Sequence, residues 1–430
     1  MGVAERGGRR RSGRRFGPVL AVVVVVGVLV AACGSSPKAG SSGSPGPAAA
    51  PGPIKIFAQG TYSLPGGGGL YDIYQGVAAA TDAVNAAGGI KGHKLSLAKC
   101  DDDGSPSAAI QCTETQIAGG AVAEVGEGTA FFEEVQPYLA KAGVPVVGGN
   151  NGDLSFGQSS VAFAFSGGAP SAFAALPEEL KAAGAKKVSL IYPDDLGSAG
   201  AENREEFVLG AKVAHVAVGN ITGIPVTTAD FGPAVAHATA GGVDGVASFM
   251  PGAGEAQLIK TLHSDAPTVK VAATSFSMTP SVISSLGAAG NGLLVSAVGN
   301  PYAASSAPWV KLYQEQLAKY APGAPLDDDS LIGWSSVWTL AQIGKTLPAV
   351  TRSSLLGALR KLHNFSLGGA FANLTTTAHP CQSNCLGQVN LYSPYVIYYT
   401  LNNGKLTPNS PGDLVNPYTN SVISNGIPDA

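Results

Sequence analysis

The stretch "AVNAAGGIKGHKL" (residues 83–95) decides how this chain folds, because it joins a helical pattern to a strand-like one. Gly88 and Gly89 end the helical pattern, at the place where a helix C-terminus often needs a backbone with positive φ. The run "KLSLAKC" (94–100) that follows is typical of a strand. Before the glycines, one apolar stripe recurs at helical spacing, at Leu70, Ile73, Val77, Ala80 and Val84. The stretch therefore predicts a helix-to-strand joint.

Strand-like and helix-like segments alternate on both sides of this joint. Such alternation predicts an α/β fold of parallel sheets with helices on both faces. The first half has predicted strands at 54–60, 94–100, 121–126, 144–149 and 161–166, and further helices at 106–119 and 131–142. The series restarts with helices at 170–183, 198–209 and 254–264, and strands at 186–192, 212–218, 243–249, 270–275 and 292–298. Residues 305–362 are mostly helical, and late strands are predicted within 389–400, before the turn 402–404.

Residues 1–32 have the features of a lipoprotein signal peptide. Six arginines precede 15 apolar residues (18–32), a length that fits a signal sequence and is short for a membrane span. Ala31 and Ala32 then lead into Cys33, which resembles a bacterial lipobox whose cysteine is lipidated. A plain signal peptide with an incidental cysteine is the alternative. Residues 33–53 are rich in Gly, Ser, Pro and Ala and predict a flexible linker, so we expect a lipid-anchored body in water.

The charge of the body argues against nucleic acid as a partner. The whole chain has a formal net charge of −3, and the six Arg and one Glu of the signal peptide contribute +5, which leaves −8 on the rest. We see no cluster of basic and aromatic residues that would offset this acidity. The body is about twice the usual length of a single domain, so it has room for two lobes that each enclose a core.

The cysteines predict two local disulfides. An even number in an exported chain favours disulfides, and four remain once Cys33 is lipidated. They form two close pairs, Cys100 with Cys112 and Cys381 with Cys385. A zinc site is the alternative, since a histidine lies near each pair, but neither spacing matches a familiar zinc motif. We therefore predict no metal site.

The chain resembles the leucine/isoleucine/valine-type periplasmic binding proteins, the type I substrate-binding proteins of ABC importers. The resemblance extends from Ile54 to about Lys405. Four ordered segments carry it: "AVNAAGGIKGHKLSLAKCDDDGSP" (83–106), "LAKAGVPVVGG" (139–149), "KKVSLIYPDDLG" (186–197) and "TADFGPAVAHATAGGVDGV" (228–246).

This resemblance implies two Rossmann-like lobes joined by three crossovers, with the ligand in a cleft that closes by a hinge motion. We place the crossovers at 166–168, 299–302 and 368–372, where small residues are common. The N-terminal lobe would then comprise 54–166 and 302–369, and the C-terminal lobe 167–301 and 370–430. Related proteins also carry a disulfide in the first lobe, at the place of Cys100 and Cys112.

Ligand residues are expected where parallel strands end and helices begin. In the first lobe, Tyr62 and Ser63 follow the first strand. Thr129 matches the family position whose hydroxyl helps hold a ligand carboxylate, and an ordinary N-cap is the alternative. Asn150, Asn151 and Gly152 match the second carboxylate-binding loop. Glu127 would pair with a cation or be an ordinary solvated acid.

The second lobe departs from the family pattern. Leu196 and Pro251 stand where the family has aromatic residues, and Ser275 lies where an acid pairs with the ligand ammonium. Because a buried ammonium without a carboxylate partner is costly, a zwitterionic branched-chain amino acid is doubtful as the ligand. Asp194 and Asp195 either contact the ligand or cap the following helix.

The sequence contains no G-x-S-x-G, H-E-x-x-H or P-loop motif, and its six histidines are scattered. "DDDG" (101–104) lacks the rest of a calcium loop and predicts a turn at a strand end. We therefore expect no enzymatic activity and no cofactor.

These observations predict a substrate-binding lipoprotein of an ABC importer on the extracytoplasmic face of the cell membrane. It would act as a monomer, capture a small polar solute such as an amino acid, amide or carboxylate, and present it to a permease. A ligand-sensing receptor component with the same fold is the alternative, and a hydrolase is less favoured.

Overall fold

The computed structural model describes residues 52–63, 69–300, 307–378, 385–424 and 426. The predicted signal peptide with Cys33 lies outside these residues, as do Cys381 and Tyr302. The lipid anchor and one half of the second cysteine pair therefore fall outside the described part of the chain.

The first sheet is built from strands of the N-terminal part of the chain, and all its described pairings are parallel. The strand order is β2-β1-β3-β4-β5. The bounds are β1 Ile54–Gly60, β2 Leu95–Asp101, β3 Ala123–Glu127, β4 Val146–Gly149 and β5 Ala162–Phe163. Parallel pairing places the carboxyl ends of these strands at one edge of the sheet.

The second sheet has the strand order β12-β11-β10-β9-β8-β6-β7. Strands β6 to β10 pair in parallel, whereas β11 and β12 add an antiparallel hairpin. The bounds are β6 Lys187–Pro193, β7 Ala217–Ile224, β8 Gly245–Ser248, β9 Lys270–Thr274, β10 Leu293–Ala297, β11 Ile397–Asn402 and β12 Lys405–Pro408. A short antiparallel ribbon follows, formed by β13 Leu414–Asn416 and β14 Ser421–Ile423.

Helices cover both faces of each sheet, which confirms the predicted α/β architecture. Their bounds are α1 Tyr71–Ala86, α2 Pro106–Ala118, α3 Phe132–Ala142, α4 Leu154–Gln158, α5 Gly168–Ala182, α6 Gly197–Ala214, α7 Gly232–Thr239, α8 Ala253–Asp265, α9 Pro280–Leu286, α10 Pro308–Tyr320, α11 Asp328–Thr346 and α12 Arg352–Leu359. On the first sheet, α1, α10, α11 and α12 cover one face and α2, α3 and α4 the other. Thus the late helices α10 to α12 return to the first sheet.

Helices α1 and α11 are in close contact over the first sheet. A Cβ on Gly76 would lie 2.0 Å from the carbonyl oxygen of Ser330, and one on Gly333 would lie 2.0 Å from that of Ile73. Only glycine at these two positions lets the backbones approach so closely. The buried side chain of Trp334 lies in the core that these helices enclose.

The chain passes from one sheet to the other after β5, after β10 and after α12. The second and third passages are bonded to each other, since the amide of Asn300 donates to the carbonyl of Ala370 at 3.0 Å. Gly168 and Gly368 both have a φ of 59°, a backbone conformation that favours glycine. Glycine therefore occurs at two of these passages because the backbone there adopts a positive φ.

Three strand predictions are wrong in part. The strand predicted at 161–166 covers only Ala162–Phe163. Within 212–218, α6 continues to Ala214, because buried Ala211 and Ala214 extend its apolar face. His215 then adopts positive φ, and the strand starts only at Ala217. Within 389–400, the strand starts at Ile397.

The first residues of 389–400 instead form hydrogen bonds with residues 157–159 of the first lobe. The backbone amide of Asn390 donates to Gly157 O at 2.6 Å, and its side-chain amide donates to Ser159 O at 2.7 Å. These tertiary bonds replace the sheet pairing that the apolar pattern suggested. Helices α4, α7 and α9 were not predicted.

A disulfide joins Cys100 on β2 to Cys112 on α2, with the two Cα atoms 6.1 Å apart. Cys385 is also disulfide-bonded. No helix in the described part of the chain has both the length and the apolar character needed to cross a bilayer.

Candidate functional site

Polar side chains from three loops meet at the carboxyl edge of the first sheet. Thr61 follows β1, Asp102 follows β2 and Thr129 follows β3, and each is at most 7% exposed. The amide of Thr61 donates to Gly128 O at 3.0 Å, which ties the first of these loops to the third. This edge therefore holds a buried polar cluster.

Asp102 is the acceptor at the centre of this cluster. Its Oδ2 accepts from the hydroxyls of Thr61 at 3.1 Å and Thr129 at 2.5 Å, and its Oδ1 accepts from the amide of Gly104 at 3.0 Å. Asp103 and Gly104 have φ values of 50° and 73°, so "DDDG" forms a turn where β2 ends, as predicted. The sequence located the turn but not the role of Asp102.

The hydroxyl of Thr129 is fully used within the protein. It donates to Asp102 and accepts from the amide of Phe131 at 3.2 Å. The amide of Thr129 donates to Oε1 of Glu127 at 2.5 Å. Phe131 is the N-cap residue of α3 and no side chain caps it, so the alternative that Thr129 is the N-cap is wrong. As found here, this hydroxyl has no proton left for a ligand carboxylate.

Tyr62 and Ser63 are also bound to a protein carboxylate. Asp101 accepts from both backbone amides at 3.1 Å and from the Ser63 hydroxyl at 2.7 Å. Partial burial acts to raise the pKa of Asp101, but the bonds from the Ser63 hydroxyl and nearby amides outweigh burial and lower it. Asp101 therefore remains ionised next to the exposed Ser63.

Three tyrosine rings surround one ammonium group beside this loop. The Nζ atom of Lys99 lies 5.4 Å, 4.7 Å and 5.1 Å from the ring centroids of Tyr62, Tyr71 and Tyr74, and 3.9 Å from Oδ2 of Asp101. Burial, followed by the negative charges of nearby acids, raises the pKa of Tyr62 well above its usual value. The sequence analysis identified Tyr62 but missed the other members of this aromatic cage.

Glu127, the last residue of β3, is completely buried rather than a solvated loop acid. Its Oε1 accepts from Thr129, whereas its Oε2 has no hydrogen-bond partner in the described structure. Burial, and then the charge of Glu124, raises the pKa of Glu127 well above its usual value.

The loop after β4 contacts both lobes. The side-chain amide of Asn150 donates to Oδ1 of Asp329 on α11 at 3.4 Å, and that of Asn151 donates to Gly167 O at 3.3 Å. Asn151 is 1% exposed, and its Oδ1 has no partner in the described structure. Gly152 is half-buried beside them. The predicted loop therefore lies at the first passage between the sheets.

The predicted residues after β6 are exposed. Asp194, Asp195 and Leu196 all face solvent, and Leu196 is 40% exposed. The carboxylate of Asp195 accepts from the amide of Val226 at 3.1 Å, in the loop after β7. Leu196 is the N-cap residue of α6 and no side chain caps it, so the helix-capping role predicted for the two aspartates is wrong.

Ser275 follows β9, is 5% exposed and donates its hydroxyl to Oδ2 of Asp328. Asp328 begins α11, so this bond joins the carboxyl edge of the second sheet to a helix of the first lobe. Burial raises the pKa of Asp328 to about 6, although bonds from Ser275 and the Val298 backbone oppose this. A carboxylate from another element thus lies against Ser275, a contact that the sequence did not predict.

Pro251 is half-buried beside a second buried acid. Glu255 accepts from the amide of Met250 at 2.6 Å and from the hydroxyl of Ser248 at 2.7 Å. Burial raises its pKa to about 7. No group of three or more His, Cys, Asp or Glu side chains in the described residues is arranged to hold a metal ion.

Comparison with known proteins gives the family and the fold. The family model described as periplasmic binding protein matches residues 61–390. No curated protein sequence is significantly similar to the chain. Among solved structures, a substrate-binding periplasmic protein from Ralstonia solanacearum is 21% identical, with a TM-score of 0.69 over 83% of this chain and 100% of the other.

Two further structures are titled as complexes. A solute-binding ABC transporter protein from R. palustris with 4-hydroxybenzoate is 18% identical, with a TM-score of 0.67 over 87% of this chain and 98% of the other. The branched-chain amino acid protein LivJ from Streptococcus pneumoniae with isoleucine is 17% identical, with a TM-score of 0.64 over 82% and 97%.

Proposed function

The chain belongs to the periplasmic binding protein family, a non-enzymatic solute-binding fold, and from this membership we propose that it is the substrate-binding component of an ABC importer. The solute is a small polar molecule, with amino acids, amides and carboxylates as the starting set. It is captured between the lobe formed by 54–166 and 302–369 and the lobe formed by 167–301 and 370–430, and presented to a membrane permease.

The observation that carries this proposal is that the carboxyl edges of the two sheets are joined by polar contacts. Ser275 of the second sheet bonds Asp328 of α11, and Glu202 on α6 accepts from the amide of Leu154 on α4 at 2.8 Å. Ligands of parallel βα lobes bind at strand carboxyl ends, so these contacts border the place where a solute would bind. The isoleucine and 4-hydroxybenzoate named for two similar structures support a small solute.

The proposal includes a lipid anchor on Cys33, carried by the signal-peptide pattern of residues 1–32. Mass spectrometry of the protein extracted from membranes should find a diacylglycerol-modified N-terminal cysteine. Cys33→Ala should release the protein from the membrane fraction. An unmodified cysteine in membrane-extracted protein would contradict the anchor while leaving solute binding intact.

A thermal-shift screen of amino acids, amides, short carboxylates, amines and polyols tests solute capture. A true ligand at 100 times its dissociation constant adds about 2.7 kcal/mol to the free energy of unfolding, enough for a clear rise in Tm. X-ray scattering of the hit complex should also show a smaller radius of gyration, because the lobes close on the ligand. Absence of any shift across the library would count against solute capture.

A further inference from the structure

The donors on the first lobe's binding edge are occupied by the protein's own carboxylates. Asp101 accepts from the amides of Tyr62 and Ser63 and from the Ser63 hydroxyl. Asp102 accepts from the hydroxyls of Thr61 and Thr129. A ligand carboxylate would need these same donors, and it would approach two acidic side chains to reach them.

The amides that precede α3 are occupied as well. The amide of Thr129 donates to Glu127, that of Ala130 donates to the Thr61 hydroxyl at 3.0 Å, and that of Phe131 donates to the Thr129 hydroxyl. Free N–H groups at a helix start are what makes such a place attractive to anions. These three amides are therefore not free to bind a ligand carboxylate.

Four buried polar groups at this edge have no hydrogen-bond partner in the described structure: Nε2 of Gln59, the Tyr62 hydroxyl, Oε2 of Glu127 and Oδ1 of Asn151. Glu127 and Asn151 are at most 1% exposed. Asn151 follows Asn150 in the chain, and the amide of Asn150 donates to Glu127 O at 2.8 Å. Buried polar groups without partners are costly, so a ligand that completes the hydrogen bonds of Glu127 and Asn151 would be stabilised here, and a ligand cation would also favour the ionised form of Glu127.

The loops at the carboxyl edges of both sheets carry negative charge. The described loops that follow strands β1 to β10 contain no Lys or Arg. These loops, together with the last residues of the strands, contain the acids Asp101, Asp102, Asp103, Glu127, Asp153, Asp194, Asp195 and Asp230. The nearby Lys99 is already held by the tyrosine cage and Asp101. From the first lobe, Asp328 adds a further buried carboxylate against Ser275.

We propose that the solute is a small organic cation, bearing an ammonium or guanidinium group and no free carboxylate, whose N–H donors are received by Glu127 and Asn151. This inference rests on the proposed solute-binding function and narrows its ligand class. Lys99 gives an example within the same lobe, since its ammonium is held by aromatic rings and a carboxylate.

The test is a calorimetric titration of the full chain with matched ligand sets. A complete set keeps one side chain and varies the charge: an amino acid, the amine without its carboxylate, the acid without its amine, and the neutral amide. The leucine set, with isopentylamine as its amine, contains all four members, whereas the arginine set compares only arginine with agmatine, because the arginine side chain is itself a guanidinium cation. We expect an amine to bind at least 100-fold more tightly than its matched amino acid and acid.

Tighter binding of an amino acid, an acid or a neutral amide would overturn the inference and leave solute capture standing. No binding by any set, or by any member of the wider screen, would count against both. These outcomes are read from the unchanged chain, so they do not depend on how a variant folds.

A substitution at Glu127 tests whether its carboxyl group receives the N–H donors of the ligand. Glu127→Gln keeps a carbonyl oxygen for the Thr129 amide but removes the ionisable carboxyl group, so the affinity for the amine should fall at least tenfold. Asp244→Asn is the matched control, because it makes the same kind of carboxyl-to-amide change at the amino end of the second sheet, where Asp244 accepts from Lys187 N at 2.9 Å. It should leave the affinity unchanged. Equal affinities for parent and Glu127→Gln would overturn the role of Glu127.

Discussion

Asp102 accepts hydrogen bonds from several loops at the carboxyl edge of the first sheet. It is completely buried, yet it is surrounded by donors from three loops: Thr61, Thr129 and Gly104. Hydrogen bonds to a charged group typically contribute about 1.5–3 kcal/mol, and an unpaired buried charge is costly. Asp102 therefore both organises these loops and occupies the donors that an anionic ligand would need.

The first prediction concerns Thr129. Thr129→Val keeps the shape of the side chain but leaves Asp102 and the Phe131 amide each without one partner. We expect the free energy of unfolding to fall by about 2 kcal/mol, as measured by urea denaturation. Thr115→Val is the control, because the Thr115 hydroxyl bonds only its own helix, at Gln111 O, and is exposed. A loss no greater than that of the control would contradict the role given to Asp102.

At the scale of elements, the contact between α1 and α11 sets how the first lobe's core closes. Gly76→Ala would place a methyl group 2.0 Å from Ser330 O, so the helices must move apart. Overpacking of this kind costs about 1–3 kcal/mol, and we expect a loss of that size in the free energy of unfolding.

The control for this prediction is Gly357→Ala on α12, where an added Cβ meets no atom within 4 Å. Alanine is the better helix former, so this change should stabilise the protein by about 0.5–1 kcal/mol. Two substitutions of the same kind should thus have opposite signs in the same denaturation experiment. Equal effects would show that the close helix contact carries no cost.

The disulfide between β2 and α2 should contribute to stability alone. Replacing Cys100 and Cys112 by Ala removes a cross-link over a sequence separation of 12 and should lower the free energy of unfolding by about 2–3 kcal/mol. Ligand affinity, measured by calorimetry on the folded variant, should stay nearly unchanged. A large loss of affinity in a fully folded variant would assign the bridge a role in binding.

Local pattern predicted most helices and strands, and its failures have tertiary causes. The strand predicted within 212–218 gave way to α6, because buried Ala211 and Ala214 continue that helix's packing face. The strand predicted from 389 was shortened because Asn390 bonds the first lobe. The short helices α4 and α9 offer too few residues for a periodic signal.

At the scale of the whole molecule, buried carboxyl groups exceed their described basic partners, and this should set the pH dependence of stability. Burial raises the pKa of Glu124 and Glu206 to about 8, of Glu255 and Asp327 to about 7, and of Asp328 to about 6. The folded state therefore retains protons that the unfolded state has released above its ordinary carboxyl pKa values. The free energy of unfolding should fall as the pH rises from about 4.5 towards 8.

Glu124→Gln tests this dependence on one group, because both oxygens of Glu124 are buried without a partner in the described structure. From pH 5 to pH 8, the stability of the variant relative to the parent should rise by at least about 1.4 kcal/mol, which corresponds to one pKa unit. The exposed Glu205→Gln should show no such change. Parallel pH profiles for parent and Glu124→Gln would refute the prediction.

The sequence by itself determined the alternation of helices and strands and the turn at "DDDG", because periodicity and glycine placement are local properties of the chain. The passages between two lobes were implied by the resemblance to the binding-protein family. The sequence also picked out the loops at strand ends. Only the tertiary structure decided which hydrogen-bond partners the side chains of those loops have. Asp102 occupies the hydroxyls of Thr61 and Thr129, and Asp328 meets Ser275 across a separation of 53 residues. Hydrogen-bond partners distant in sequence are fixed by how the elements pack, which no local pattern records.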